Sequence, residues 1–452
     1  VYKRQLIERY TIETVLLAAE SMMSASEKMM RDAIYKSRPV GPEAARFGGQ
    51  RINDFIFMSE GNSNAYLIET SDGSILVNTG MGFEAEVHRR NFADFSTAPI
   101  KYIITTQGHV DHVGGVQHFR NAHPKAKYIA QSGNQEHQSY DARLQAFRSS
   151  RSAFAFADKF AELFAYYGEQ GYTDFAPQDK PIPDITFDER YELTLGGIKI
   201  VLIAAAGAET NDSLVLWLPE QKICLTGNLF GCPFGHFPNL VTVRGDRYRD
   251  ALTCAKAVET VLELEADMLL YGHHQPVVGR KVIQTELAVL RDAIHYVHDK
   301  TVRGMNEGKD LHTLMQSIEL PPELEVGQGY GKVSWSIQAI WESYAGWFHH
   351  QSTTELYSVP PQSINADLIE MSGGVDVLVK RAGEKFSSKE YEQALHLLDI
   401  VLSVDPSELS AVALSIQVHE ALLPLTDNFW LSAWLNNQLK LLRGGHTDAL
   451  KV

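Results

Sequence analysis

Within the run TTQGHVDHVGG, from Thr105 to Gly115, two imidazoles and a carboxylate fall inside four positions, at His109, Asp111 and His112. On one short loop such groups converge without help from distant chain, and mixed nitrogen and oxygen donors suit a borderline cation such as zinc or iron. An HxDH string alone fits a solvated loop as well as a metal site. Its surroundings favour the metal. The β-branched run IKYIITT precedes it, two glycines follow, and three later apolar runs each lead to a further ligand-type residue, at Glu209, Asn228 and His273.

Elements must deliver those residues to one place. From Ile52 the apolar period is that of strands: INDFIFMSE, NAYLIET, the Asp72–Gly73 turn and SILVNTG predict a hairpin-rich sheet. The run IKYIITT then enters the histidine loop, and GGVQHFRNA reads as the helix that follows. Ligands thus sit at the C-terminal end of a sheet strand, where α/β folds place their chemistry. Strand character resumes in ITFDERYELTLGGIKIVLIAAA, SLVLWLP, KICLTGN and DMLLYGHH. Strand, loop and ligand in repeated succession predict an α/β fold in which a two-sheet sandwich carries helices outside.

Three segments are expected: a helical arm at 1–48, a catalytic sandwich at 49–282, and an all-α region at 283–452. The arm is read from the apolar spacing between Tyr10 and Tyr35. In the last region VIQTELAVLRDAIHYVHDKTVRGMNEG and VSWSIQAIWESYAGWF are the clearest helices, and SKEYEQALHLLDIVLSVDPSELSAVALSIQVHEAL reads as a helical hairpin turning at a proline. Between about 132 and 180 a helix crowded with Phe147, Phe154, Phe156, Phe160, Phe164, Tyr166 and Tyr167 has two readings. It packs on the sheet, or it covers an apolar substrate.

Composition narrows the partners. A chain of 452 residues with a formal charge of −15 and no long basic run is a poor match to a phosphate backbone, so no nucleic-acid partner is expected. Cys224, Cys232 and Cys254 are too few for a disulfide framework and suit a reducing compartment. No stretch approaches the roughly 20 apolar residues of a membrane span, and the first residues lack the pattern of a signal peptide. The expected location is cytoplasmic.

The pattern resembles the metallo-β-lactamase superfamily, whose signature is HxHxDH followed by a third ligand of the first site, a bridging acid and a last histidine. The resemblance covers about 50–280 and is nearest to the alkylsulfatases. GAETNDS is similar to the segment in which a glutamate completes the first site, which implies that role for Glu209. NLVTVRGDRYRD resembles the sulfate-binding stretch, which implies Asn239, Thr242 and Arg244 as substrate-binding residues; a surface ion pair of Arg244 with Asp246 or Asp250 is the other reading. YGHHQPVVG supplies the last histidine, His273. The runs from Val333 to Pro361 and from Asn428 to Gly445 resemble the helical dimerisation domain of the same enzymes, which implies a homodimer.

Departures accompany these matches. Gln107 stands where the first histidine belongs, and Asn228, or Gly227 beside it, stands where the bridging acid belongs. Amide oxygens are neutral, weak donors, so Gln107 and Asn228 are at best weak ligands, and no anion would screen two cations about 3.5–4 Å apart. Asp111, His112 and His273 alone keep a full set, which implies one zinc ion, two being the fuller family arrangement and iron the alternative. Asn78 likewise replaces an aspartate that braces the ligand loops in the superfamily. Asp111 and His236, the latter with a free-solution pKa near 6.5, are the catalytic candidates. His274, His349 and His350 are candidates for supporting or substrate roles. Three functions follow. The first is a metal-dependent hydrolase in which metal-activated hydroxide attacks an amphiphilic sulfate-type ester; the second is an enzyme of another reaction type using one metal ion; the third is a binding protein without catalysis.

Overall fold

The computed structural model describes residues 40–444. The helix expected between Tyr10 and Tyr35 therefore lies outside the described residues. The chain divides into two units, one formed by 1–145 with 167–343 and the other by 146–166 with 344–452.

The first unit begins with β1 (Gln50–Arg51), β2 (Ile56–Ser59), β3 (Ala65–Thr70) and β4 (Gly73–Val77), an antiparallel run. The tight β3–β4 turn needs Gly73, whose φ is +129° and whose added Cβ would lie 2.7 Å from the Pro99 carbonyl oxygen. After α1 (Ala85–Ala93), the chain adds β5 (Ile100–Ile104), the short helices α2 (Val110–Val113) and α3 (Val116–Ala122), and β6 (Lys127–Gln131). Helices α4 (Asn134–Arg143) and α5 (Gln145–Glu169) precede β7 (Ile185–Phe187), which closes a seven-stranded sheet in the order β1 to β7. Its last four strands are parallel, so the ends of β5 and β6 face the same way.

A second sheet follows: β8 (Arg190–Leu195), β9 (Ile198–Ala204), β10 (Leu214–Leu218) and β11 (Ile223–Gly227), then α6 (Ala251–Glu263), β12 (Met268–Tyr271) and β13 (Val277–Val278). Only β11 and β12 pair in parallel. Helices α7 (Arg280–Asn306), α8 (Leu311–Ser317) and α9 (Val333–Ala345) complete the unit.

Strands buried on both faces read as continuous apolar runs, and β4, β10 and β11 are buried at every residue. One core lies between the sheets, with Ile56, Ile68, Ile75, Ile104, Leu214 and Leu225. A second joins the outer face of the first sheet to α1 and α3 through Leu76, Ile103, Phe92 and Phe119. A third joins the second sheet to α6, α7 and α9 through Val215, Leu269, Val258, Leu290 and Ile337. Two sheets with helices on both outer faces make the αββα sandwich anticipated from the strand pattern. The region from 283 expected to belong with the helices behaves differently up to 343, because α7 and α9 pack on the second sheet.

The second unit holds residues 146–166 of α5 with α10 (Asn365–Ser372), α11 (Val375–Ser387), α12 (Tyr391–Val404), α13 (Leu409–Leu422) and α14 (Phe429–Arg443). The hairpin turning at Pro406 is α12 with α13, and its core is Ala394, Leu398, Val401, Ala411 and Val418. The aromatic helix resolves in a third way. Phe154 lies 5.3 Å from Trp434 between ring centroids, and Phe156 lies 5.8 Å from the buried Trp430. The half-buried Phe154 and Phe156 thus pack on α14 within this helical unit, where edge-to-face packing of large rings is favourable.

Glu84 ties loops together ahead of the site. Its fully buried carboxylate accepts from the backbone N–H groups of Ala45, Asn62 and Met81 and from the Asn62 amide. Burial pushes its carboxyl up to about 7, against the pull of those donors. Removing the acceptor leaves buried N–H groups unsatisfied, each costing about 1–3 kcal/mol. Glu84→Ala should therefore lower unfolding free energy in urea by about 3 kcal/mol or more; a loss under about 1 kcal/mol would show the loops do not depend on it.

Candidate metal centre

His109 caps α2 in an extended conformation, with Asp111 and His112 in the single turn that follows β5. The strand end is held by Thr106, whose backbone N–H and hydroxyl both donate to Asn78 Oδ1, at 2.9 and 3.1 Å. Asn78 itself has φ +58°, a left-handed conformation that asparagine tolerates better than most residues. Its amide oxygen thus braces the loop in place of the superfamily's carboxylate.

His112 is fully buried, with Nδ1 2.9 Å from Ser63 Oγ and Nε2 3.7 Å from Asp111 Oδ2. The loop after β12 brings His273 within electrostatic reach of Asp111 and His112, while the histidine and acid ligand atoms that lie within 4.8 Å of one another among the described residues are those of His109, His137 and Asp141. The position of His273 is fixed from the first sheet: the Asn64 amide donates to the carbonyls of Tyr271 and His274, and Tyr66 Oη donates to Tyr271 at 2.6 Å. His112 Nε2, His273 Nδ1 and Asn228 Oδ1 are buried without a hydrogen-bond partner. Burial, offset only in part by nearby acids, depresses the His112 and His273 imidazoles to about 3, so both rings are neutral at physiological pH and present lone pairs. Asp111 is raised by burial, with His273 and Arg244 opposing that shift. Buried, neutral, partnerless ring nitrogens beside a carboxylate fit a metal ion, which would otherwise leave several polar atoms unsatisfied.

His109 turns the other way. Its Nε2 is buried without a hydrogen bond and lies 3.8 Å from Asp246 Oδ2, while its ring stands 5.0 Å from that of His137. Burial lowers its pKa well below the ordinary value. Gln107 does not point its amide to a ligand position: the amide sits 2.7 Å from His109 Nδ1, where it orients the ring. Glu209 is paired with Arg249, 2.9 Å from Nη2, and burial raises its carboxyl to about 7 despite that partner. Arg249 also donates to the backbone carbonyls of Glu209 and Asn239, so it holds the segment that resembles a sulfate site.

Arg244 lies among acids, with Asp246, Asp111 and Asp141 all within its electrostatic reach. Asp250 instead caps α6, accepting from Thr253 N at 2.7 Å. Asn239 and Thr242 are buried, and Thr242 Oγ1 has no partner. His236 packs elsewhere: its Nδ1 accepts from the Gly329 N–H at 3.0 Å and its ring lies against Gly327. His274 contacts Cys232 Sγ through Nε2 at 3.8 Å. His349 pairs with Glu355 and His350 stacks on Phe348, both within the helical unit. All three cysteines are buried and free.

Sequence reading did not single out His137, Asp141 or Arg249, and named Asp246 only as an ion-pair partner for Arg244. The signal was weak. HQSYD reads as a polar helix surface, and its His–Asp spacing of four gains meaning only once α4 is packed beside the histidine loop.

A model of the metallo-beta-lactamase superfamily matches residues 58–273, and one of the alkyl sulfatase dimerisation region matches 311–443. The chain thus carries a region matching the metallo-beta-lactamase superfamily followed by one matching the alkyl sulfatase dimerisation domain. Among characterised relatives, it is 29% identical over 361 residues to a linear primary-alkylsulfatase from a Pseudomonas species, covering 75% of this chain and 66% of that one. To an alkyl/aryl-sulfatase of Saccharomyces cerevisiae it is 25% identical, covering 87% of this chain and 64% of that one. The chain spans slightly less than two thirds of the length of these relatives. A solved stereoselective inverting sec-alkylsulfatase from Pseudomonas shares the fold with a TM-score of 0.75 at 22% identity, over 88% of this chain and 66% of the other. Among the described residues no helix is long and apolar enough to cross a membrane.

Gly227, the alternative seat of a bridging acid, has φ +57°, and an added Cβ would lie 2.4 Å from Thr106 Oγ1. Neither the backbone nor the space admits a side chain. Gly227→Ala should cost about 2 kcal/mol or more, since a left-handed non-glycine residue alone costs about 1–3 kcal/mol. Thermal unfolding of the variant checks this, and an unchanged midpoint would show that the β11 end can relax.

Proposed function

We propose that the chain is a metal-dependent hydrolase of an amphiphilic sulfate ester, carrying zinc at Asp111, His112 and His273. One observation carries the proposal: the buried, partnerless ring nitrogens of His112 and His273 accompany Asp111, and Asp111 lies within electrostatic reach of Arg244. An ion held there supplies Lewis acidity toward an ester oxygen and a water that ionises near neutral pH. The protein's own part is to orient. The planar Arg244 guanidinium offers two parallel N–H donors to sulfate oxygens, and Thr242 offers a hydroxyl from a buried position. Asn239 is held in place through Arg249. Water and ester yield an alcohol and hydrogen sulfate. His236 is assigned no proton transfer, because its ring is packed against the 327–329 loop. The dimerisation domain supports a homodimer, and buried free cysteines support a reducing compartment such as the cytoplasm.

A second reading has support from the absence of an acid at Gly227 and Asn228. Two histidines and one carboxylate also suit non-haem iron, and a different reaction would follow. Both readings are tested together. Purified protein should release sulfate from medium-chain alkyl sulfates, lose that activity to a chelator and regain it with zinc. Arg244→Ala should lower kcat/KM about 100-fold or more, equivalent to about 2.7 kcal/mol, with Arg244→Lys only partly recovering it. Full activity in Arg244→Ala would remove that residue from the sulfate role. Recovery with iron alone would favour the second reading. No turnover by metal-loaded protein would favour a binding role.

A further inference from the structure

The family pattern leaves the first metal position short of ligands, since Gln107 replaces a histidine and Glu209 is engaged by Arg249. The structure places other donors at that position. We propose that His109, His137 and Asp141 form a metal site of their own, for a borderline divalent cation of the zinc class. It rests on the reading above only for its neighbour at Asp111, His112 and His273.

Proximity is the first ground. One ligand atom from each of the three residues lies within 4.8 Å of the other two, and His137 Nε2 is 3.7 Å from Asp141 Oδ2. Donors bound to zinc at about 2.0–2.2 Å stand about 3.3 Å apart around a tetrahedral ion, so closure asks for shifts of under about an ångström from each side chain. Helix α4 sets the pair: four residues apart, His137 and Asp141 share one face and are directed together.

Orientation is the second. Each imidazole is tethered through Nδ1 by an amide, His109 by Gln107 and His137 by Asn211, both at 2.7 Å. His137 Nδ1 donates to Asn211 Oδ1, which leaves its Nε2 lone pair for a ligand; the Gln107 amide stands with its nitrogen toward His109 Nδ1, and turning that amide over puts its oxygen there and gives His109 the same tautomer. Metal-ligating histidines are held in a related way, the second ring nitrogen donating to an oxygen acceptor. Both Nε2 atoms are buried without a hydrogen-bond partner, although each ring lies close to a carboxylate. A purely structural His–Asp pair would close to hydrogen-bond distance. At 3.7 Å, this one does not.

Charge is the third. Asp141 and Asp246 flank the rings, and Arg244 lies within reach of both. Asp246 Oδ2, 3.8 Å from His109 Nε2, stands where it can supply a fourth donor. The site therefore replaces a lost histidine and an engaged glutamate with residues drawn from a helix, and Gln107 becomes a positioning residue.

The full chain would be stripped with chelator, reloaded with zinc, freed of excess and analysed for metal per chain. Wild type should carry two zinc ions. His137→Gln and Asp141→Asn should each carry one, and Asp111→Asn should lose the other. Asn211→Ala, which removes a tether and no ligand, should weaken one of the two ions about 10–100-fold in a competition titration. The ion retained in each variant reports that the fold persists. Two ions in both His137→Gln and Asp141→Asn would overturn the site, as would a single ion in wild type that both variants keep, or loss of both ions in both variants. If Asp111→Asn keeps two ions while His137→Gln loses one, the site stands and the zinc assignment in the proposed function falls. Wild type without metal after loading overturns both.

Discussion

Thr106 is the point on which the two sheets agree. Its carbonyl accepts from Leu214 N at the start of β10, its N–H and hydroxyl go to Asn78 at the end of β4, and its hydroxyl lies 3.3 Å from His112 Nδ1. Around it, Asn64 N donates to the Gly272 carbonyl and Gly272 N to that of Gly227. Buried backbone groups must be paired, and here Leu214 N to Thr106 and Asn64 N to Gly272 pair across the two sheets, while the bonds to Asn78 and Gly227 join neighbouring strand ends within one sheet. The loops bearing Asp111, His112 and His273 consequently share one hydrogen-bonded floor. A ligand set held by such a floor needs little rearrangement to bind.

The same constraint explains the residues that look like losses. A side chain at Gly227 would strike Thr106, so this chain cannot carry an acid at that position in its present backbone. Asn78 keeps the hydrogen bonds of a bracing aspartate while dropping its charge. Gln107 contacts His109 Nδ1 through its amide. Asp141 and Asp246 bring carboxylates back from other directions.

The sheets and the loops that carry the candidate residues were legible in the sequence because period and punctuation are local. Asp72–Gly73 marks a turn by its own chemistry, and His109, Asp111 and His112 need only the strand before them. Other features depended on contacts far apart in sequence. The crowded rings of 147–167 announce burial but not its partner, and Phe154 and Phe156 found α14, some 275 residues on. Helices α7 and α9 carry the same amphipathic signal as the later ones, yet pack on the second sheet. A helix pattern states that one face will be covered and leaves the cover unnamed.

Arg244 and Arg249 show the same limit within one short segment. Both are arginines in NLVTVRGDRYRD, five residues apart, and nothing local separates a residue set among acids from one that holds the frame. Burial and direction do. Arg249 spends its donors on Glu209 and on the carbonyls of Glu209 and Asn239, which fixes the loop. Arg244 faces Asp111, Asp141 and Asp246, acids drawn from the histidine loop, α4 and its own segment. Under the proposed function, cations at those acids would raise the positive potential around its guanidinium, which would couple metal occupancy to anion affinity through the same carboxylates.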